Sequence, residues 1–370
     1  MRFVCEKNDL YNACTISSRA VPAKTPMPSL EGLKLDVTEN TLTVTGNDLK
    51  KAIYTSIEAE RTEEGIMVVN SRFFIEMLRR MPDGQISVEC SEKNLVNVKC
   101  GKSEYHFPAL NAEEYPEMPD FDMIKSVEIP QKILKNMITK TLFAVSKEEN
   151  RPVYTGTLFE IVGDELTLVS VDGYRLARRI EKIKSSRLED CSFIVPGFSL
   201  TDIEKVCEDS DDPTVITVGE KHISFTIGNT VIITRRIEGE FLNHRKSVPE
   251  TFRHILKVNK QEFISVIERV SLVLNDSNVN PVRMTFRDGS IDCYCTSAIG
   301  KAEDVCLCEG NGEELEIGFN DRYLLDALKA AETEKIDLCV NTSSSPCVIK
   351  AADGTDNFTY MILPVRIRAN

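Results

Sequence analysis

One arrangement recurs three times along this chain, at intervals close to a third of its 370 residues. A helix-like stretch reads EKNDLYNACTISSRAV from Glu6, PQKILKNMITKTLFAV from Pro130 and NKQEFISVIERVSLVL from Asn259. Leu10, Leu134 and Phe263 then correspond, at offsets of 124 and 129. The strand-to-turn stretches TLTVTGNDLKKA, ELTLVSVDGYRLA and SIDCYCTSAIGKA align Leu42, Leu166 and Ile291, at 124 and 125. A second helix in VNSRFFIEMLRRMP, VPGFSLTDIEKVCE and FNDRYLLDALKAAE aligns Phe74, Leu200 and Leu324, at 126 and 124. Units of about 120 residues can each bury a core. The repeat therefore predicts three domains, 1–120, 126–246 and 250–370.

Each unit shows period-two alternation typical of strands, as in Thr41-Leu42-Thr43-Val44-Thr45 and His222-Ile223-Ser224-Phe225-Thr226-Ile227. Turn signals bracket these runs at Pro82-Asp83-Gly84, Gly163-Asp164 and Asp288-Gly289. Two helices against many antiparallel strands define an α+β fold class, with the helices on one sheet face. Joints are expected at Pro116–Lys125 and Arg245–His254. The match of Glu114-Tyr115-Pro116 with Glu240-Phe241-Leu242 puts both joints at the same phase of the repeat.

The helices carry an unusual charge. Over Gln131–Val145, Ile133, Leu134, Met137, Ile138, Thr141 and Leu142 form an apolar stripe. Lys132, Lys135, Asn136, Thr139 and Lys140 form the other face, with no acid among them. In Ser71–Met81, Phe73, Phe74, Met77, Leu78 and Met81 are expected to face the core, with Arg72, Arg79 and Arg80 outward. The third unit is more mixed, with Lys260, Arg269, Arg322 and Lys329 beside Glu268, Asp326 and Glu332. Each face taken singly reads as solvated surface. Their recurrence in a chain of net charge −13 implies that acids dominate elsewhere. A basic lining with an acidic exterior tracks a polyanion without adhering from outside.

Signs of chemistry are sparse. The four histidines, His106, His222, His244 and His254, lack metal-ligand spacing. No Walker A loop, GxSxG elbow or strand-borne GxGxxG occurs. Asp172-Gly173-Tyr174-Arg175 pairs an acid with an arginine at a strand end, the one place where an enzymatic reading finds a foothold. Among twelve cysteines, Cys293-x-Cys295 and Cys306-x-Cys308 sit two apart on strand-like segments, so each pair shares a face. Reduced, inward-packed thiols are expected, and a four-thiolate zinc site without CxxC spacing is the alternative. Met1 to Lys7 reaches charge too early for a secretory signal, and no apolar run spans a bilayer. A cytoplasmic, soluble protein is the expectation.

Four stretches, in order and in phase with the repeat, resemble the bacterial sliding clamp family, the beta subunit of DNA polymerase III. They are Val169-Ser170-Val171-Asp172-Gly173-Tyr174-Arg175-Leu176-Ala177, the C-terminal Tyr360-Met361-Ile362-Leu363-Pro364-Val365-Arg366-Ile367, Glu313–Leu328, and Lys24-Thr25-Pro26-Met27-Pro28-Ser29-Leu30. The resemblance implies a head-to-tail homodimer of three-domain chains, a ring lined by helices and enclosed by sheets. It implies sequence-independent binding around double-stranded DNA, loading by a clamp loader, and tethering of the polymerase III catalytic subunit with no chemistry or cofactor of its own. Other replication and repair proteins would dock through short linear peptides.

By the same resemblance the peptide pocket comprises Tyr154, Val171, Gly173, Tyr174, Arg175, Leu176, Leu242, Lys246, Ser247, Met361, Ile362, Leu363, Pro364, Val365 and Arg366. Val171, Tyr174 and Leu242 depart from the commoner threonine, histidine and proline. Taken alone, Met361–Ile367 reads equally as a buried last strand. Lys24 and Arg151 are the implied DNA contacts, to which the face analysis adds Arg72, Arg79, Arg80, Lys132, Lys135 and Lys140. Tyr105, Val273 and Leu274 match apolar interface positions of the family and read equally as core. The competing readings are a monomeric three-domain peptide-binding adaptor that never encloses DNA, and an enzyme using Asp172 or a cysteine-bound metal.

Overall fold

The computed structural model describes residues 1–117, 125–183, 190–274, 280–310, 314–355 and 357–367. Its α-helices are α1 (Lys7–Ser17), α2 (Ser71–Arg80), α3 (Gln131–Thr139), α4 (Gly197–Val206), α5 (His244–Ser247), α6 (Lys260–Ser271) and α7 (Asp321–Ala330). Packing divides the chain into two compact units. Among the described residues the first comprises Met1–Leu134 and Thr201–Arg236, and the second comprises the remainder. Strands of the middle repeat enter both.

The first unit has a five-stranded sheet in the order Glu60–Glu63, Arg2–Glu6, Gln85–Cys90, Leu95–Cys100, Ser103–Pro108. Its eight-stranded sheet runs Lys125–Pro130, Pro213–Val218, His222–Ile227, Thr230–Arg235, Lys51–Glu58, Thr41–Asn47, Gly32–Thr38, Gly65–Asn70. Two repeats share that sheet. Thr230–Arg235, the last strand of the middle repeat, lies antiparallel to Lys51–Glu58 of the first, with Thr234 opposite Lys51.

The second unit repeats the device in a twelve-stranded sheet. Its order is Cys191–Pro196, Gly156–Val162, Glu165–Val171, Arg175–Lys182, Phe358–Ile362, Cys347–Ala351, Lys335–Val340, His254–Asn259, Lys301–Glu309, Ser290–Thr296, Val282–Arg287, Leu315–Phe319. Here the last strand of the third repeat pairs antiparallel with Arg175–Lys182 of the middle one, and Ile362 stands opposite Arg175.

Helices cap the sheet faces because their apolar residues fall on one side. Leu10 and Cys14 of α1 and Phe74, Met77 and Leu78 of α2 join Phe3, Leu33, Leu35, Val44 and Val88 in one core. In the second unit Phe263, Ile267 and Val270 of α6 and Leu324 and Leu328 of α7 pack against Phe286, Ile317 and Phe358. Burying each such side chain contributes about 1.5–3 kcal/mol. Asn70, Asn259 and Asn320 start α2, α6 and α7, their side chains accepting from Phe73, Glu262 and Tyr323 N–H at 3.0, 3.0 and 3.1 Å.

Two expectations are corrected. α3 stops at Thr139 instead of continuing to Val145. The Thr141 hydroxyl donates back to the Met137 carbonyl at 2.8 Å, and the chain tightens into a 3-10 turn at Leu142–Ala144. Phe73 does not face the core but is 44% exposed, its ring edge-on to Phe107 at 5.1 Å. Phe74, Met77 and Leu78 already fill the helical stripe, and Phe73 lies beside it. Most of the expected joint at Pro116–Lys125 and the start of Glu313–Leu328 lie outside the described residues. The joint at Arg245–His254 overlaps α5 and contains buried Val248.

Cys293, Cys295 and Cys306 are buried together, and burial pushes the Cys295 and Cys306 thiols up to about 12. Among the described residues no three His, Cys, Asp or Glu side chains are grouped to hold a metal ion, and no helix is long and apolar enough to cross a membrane. Thiol modification of the native protein at neutral pH should begin at Cys90, Cys191 and Cys308, the half-buried cysteines, with the others reacting only on unfolding. Mass mapping that placed early label on Cys293 or Cys306 would contradict this packing.

Candidate functional site

The strand Glu165–Val171 ends in a turn organised by Asp172. One carboxylate oxygen accepts from Tyr174 N–H at 2.9 Å and from Arg175 N–H at 3.0 Å, an Asx turn. Gly173 adopts φ +93°, where a Cβ would be strained. The turn lifts Tyr174 to 59% exposure and folds Arg175 beneath it. Arg175 donates to Asp172 at 2.9 Å, to Asp326 of α7 at 2.6 Å and to the Phe143 carbonyl at 2.5 Å. Its guanidinium lies 4.4 Å from the centre of the Tyr323 ring. Asp172 and Arg175 are thus a turn and a clamp within the second unit.

Returning from that turn, Leu176 pairs with Met361 of the C-terminal strand. Both belong to one apolar cluster with Leu158, Val171, Ile194, Val248 and Val348, and Tyr154, Phe241 and Leu242 pack at its margin. Ile362 is not part of it. Strand alternation turns that side chain into the core that also holds α6 and α7. Beyond Ile362 the backbone is tied by Leu363 N–H to the Tyr174 carbonyl and Val365 N–H to the Gly318 carbonyl, both 2.8 Å. Leu363 stays 38% exposed, Pro364 and Val365 are half-buried, and Arg366 is exposed.

Another margin is α5, started by the Asn243 side chain accepting from Lys246 N–H at 3.2 Å. It holds Lys246 in solvent and Ser247 half-buried. Tyr154 meets Phe241 edge-on at 5.7 Å. A cavity of about 250 Å³ opens between Ser146, Glu148, Asn150, Arg151, Tyr154 and the Asp172–Tyr174 turn.

The sequence-derived pocket residues thus sort into three groups. Tyr154, Val171, Leu176, Leu242 and Met361 gather as an apolar floor with its margin. Gly173, Tyr174, Lys246, Ser247, Leu363, Pro364, Val365 and Arg366 lie at or beyond the rim. Arg175 and Ile362 face elsewhere. Phe241, Val248 and Val348 belong to the cluster and were missed. The equivalence of Phe241 with Tyr115, itself buried, was the available signal. An apolar floor under a polar rim suits an extended segment with aliphatic or aromatic anchors.

The basic residues are less free than their spacing implies. Lys24, Arg72 and Arg151 are exposed, and Lys135 and Lys140 are half-buried. Arg79 and Arg80 both bond Glu76, each at 2.7 Å, and their hydrogen bonds hold its carboxyl down to about 2. Lys132 pairs with Asp211 at 2.8 Å. The acid absent from the α3 face is supplied by a loop.

Among the described residues every sheet has end strands paired on one side only, and one further edge is mostly open inside the twelve-stranded sheet. Ser103–Pro108 ends the five-stranded sheet. Lys301–Glu309 pairs along its length with Ser290–Thr296, but on its other side meets a strand only at Cys308 and Glu309. Tyr105 on the first edge is 37% exposed. Val273 and Leu274 are half-buried against the core, whereas Leu272 is 80% exposed. Leu272 was missed because it follows the end of α6, where helical periodicity no longer assigns a face.

Comparison with known proteins covers the whole chain. Three domain families match in order: DNA polymerase III beta subunit, N-terminal domain, at residues 1–119, central domain at 128–243, and C-terminal domain at 245–366. The beta sliding clamp of Staphylococcus epidermidis is 30% identical over 376 residues, covering 99% of both chains. That of Bacillus subtilis is 29% identical over 377 residues, covering 99% of this chain and all of its own. Among solved structures, the DNA polymerase sliding clamp from Bacillus subtilis superposes with a TM-score of 0.95 at 29% identity, covering 100% of both chains. The DNA polymerase III beta chain from Streptococcus pneumoniae superposes at 0.94 with 27% identity, covering 99% of this chain and 100% of that one.

Replacing Arg175 with alanine should lower stability to denaturant by on the order of 2–4 kcal/mol, because two carboxylates and a carbonyl lose their shared donor. Tyr174→Ala, at an exposed position, should change it by less than about 0.5 kcal/mol. Equal losses from both would remove the clamp role from Arg175.

Proposed function

This chain belongs to the DNA polymerase III beta subunit family, and from that membership we infer that it is a DNA sliding clamp and replication processivity factor. Two identical chains close head to tail around duplex DNA, each contributing three clamp domains, 1–120, 126–246 and 250–370. The observation that carries the ring is the pattern of strand joints. The last strands of the middle and third repeats are each paired with the preceding repeat, whereas Ser103–Pro108 and most of Lys301–Glu309 are open. An unpaired edge is a template for another strand. Joining those two edges between copies makes a heterologous contact that closes where its rotation permits. Tyr105, Leu272, Val273 and Leu274 would supply apolar contact there.

Lys24, Arg72, Arg79, Arg80, Lys132, Lys135, Lys140 and Arg151 face the DNA phosphates. Such contacts carry no sequence information, and acids already hold Arg79, Arg80 and Lys132. Direct affinity is therefore weak and salt-sensitive, and retention is topological. The ring has no chemistry of its own and works in the cytoplasm, where a clamp loader opens it. The apolar site around Leu176, Met361 and Leu363 takes short linear peptides of the polymerase III catalytic subunit and of other replication and repair proteins.

A ring loaded on closed circular DNA should persist at salt that abolishes binding to short linear duplex, and should leave once the circle is cut. Equal retention on linear DNA with free ends would mean adhesion and would overturn the clamp reading. A monomeric mass at every concentration would favour the adaptor reading instead. For the pocket, Leu363→Ala should weaken binding of a polymerase-derived peptide by about 1–3 kcal/mol without altering the melting temperature, since Leu363 is partly exposed. Unchanged peptide affinity measured by calorimetry would take Leu363 out of the site.

A further inference from the structure

An ionic network buried at the second internal strand joint is half dismantled at the first, where a cavity opens instead. At the second joint Arg179 is the fifth residue of Arg175–Lys182 and stands opposite Phe358, the first residue of the last strand. Its side chain is buried and donates to Glu332 at 2.8 Å and to Glu181 at 2.7 Å. Glu332 lies two residues past the end of α7 and also accepts from Asn136, the sixth residue of α3, at 2.6 Å.

At the first joint the same positions are Thr55, Glu208 and Asn12. Thr55 is the fifth residue of Lys51–Glu58, opposite Thr230, Glu208 lies two residues past the end of α4, and Asn12 is the sixth residue of α1. The acid and the amide are retained, the arginine is replaced by threonine, and Ile57 stands in place of Glu181. The Thr55 hydroxyl is satisfied by that of Thr230 at 3.0 Å, so it reaches for no acid. Among the described residues the Glu208 carboxylate and the Asn12 side chain have no partner. Beside them is a cavity of about 540 Å³, lined by Ile16, Gln131, Glu208, Asp212, Asn229 and Thr230 among others. That volume suits a small ligand or a single long side chain. Gln131 is only 5% exposed. Its amide oxygen accepts from Glu208 N–H at 2.9 Å, and its amide nitrogen, bonded to nothing among the described residues, faces the cavity. A buried donor left without a partner is costly unless something else meets it.

We propose that this cavity takes a guanidinium group supplied from outside the chain, lying where the Arg179 side chain lies at the second joint. Glu208 and Asp212 are its acceptors. The Ser210 hydroxyl holds one oxygen of Asp212 at 3.0 Å and leaves the other for the ligand. A guanidinium fits better than an ammonium, because its planar fork matches a carboxylate and it sheds water more readily. The Gln131 amide nitrogen donates to the carbonyl that accompanies an arginine in a polypeptide. The site lies wholly within the first compact unit, apart from the apolar pocket.

Titrating the full-length protein with Nα-acetyl-argininamide, followed by calorimetry, tests this. Half-saturation is expected at about 1 mM, the scale for a ligand of this size, with n-butylammonium at least about tenfold weaker. Glu208→Gln should weaken binding about tenfold without altering the melting temperature of the unliganded protein, since that carboxylate is exposed and unpaired. Thr55→Arg, which supplies the group from within the chain, should abolish binding. Free arginine separates the two sources of the ligand: equal binding identifies the amino acid and weaker binding identifies a polypeptide side chain, and the guanidinium assignment holds with either. It falls if the blocked arginine shows no saturation in the millimolar range, if n-butylammonium binds equally well, or if Glu208→Gln leaves the affinity unchanged. Should Thr55→Arg fail to fold, the Glu208→Gln titration decides alone.

Discussion

Backbone hydrogen bonding at sheet edges is the constraint around which this protein is organised. Each repeat presents one strand whose outer side cannot be satisfied within the repeat. Lys51–Glu58 is completed by Thr230–Arg235, and Arg175–Lys182 by Phe358–Ile362. A row of orphan donors and acceptors is expensive to leave dry and hazardous to leave wet. Joining repeats edge to edge turns that liability into the means of assembly. The middle repeat consequently has its strands in both compact units.

The turn at Asp172 places two jobs on adjacent residues. Tyr174 is exposed at the turn with its ring stacked on Tyr323 of α7, and Arg175, next in sequence, is clamped to the same helix through Asp326. A segment lying across Tyr174 and Leu363 would therefore rest on the same few residues that fasten two repeats together. Rigidity at that turn lowers the cost of ordering the rim when a ligand arrives. Charge is managed in a similar local way: Glu76 and Asp211 neutralise cations that spacing alone would leave bare.

Much of this was legible in the sequence because it depends on period and phase. The triplication, the α+β class, the inward cysteines and the glycine turns at Gly84, Gly163 and Gly289 follow from local geometry, and all three glycines take positive φ. What escaped depended on partners distant in sequence. Phe73 was assigned to the core because it is apolar, though the stripe was already complete. Ile362 was grouped with Met361, though consecutive strand residues face opposite sides. The acids near Lys132 and Asn136 come from Asp211 and Glu332, in other segments. The end of α3 turned on threonine hydroxyls bonding backward, a choice that hydrophobic periodicity does not register.

The equivalence of the two internal joints has an evolutionary meaning. Lys51–Glu58 and Arg175–Lys182 each accept the last strand of a following repeat, in matching register. Removing the middle repeat would therefore leave Lys51–Glu58 facing Phe358–Ile362, a pair of the same type. Gene duplication or loss of a whole repeat changes how many are carried per polypeptide without requiring a new joint. The number of repeats per polypeptide is then set by gene length, while the strand-to-strand contact that joins them stays the same.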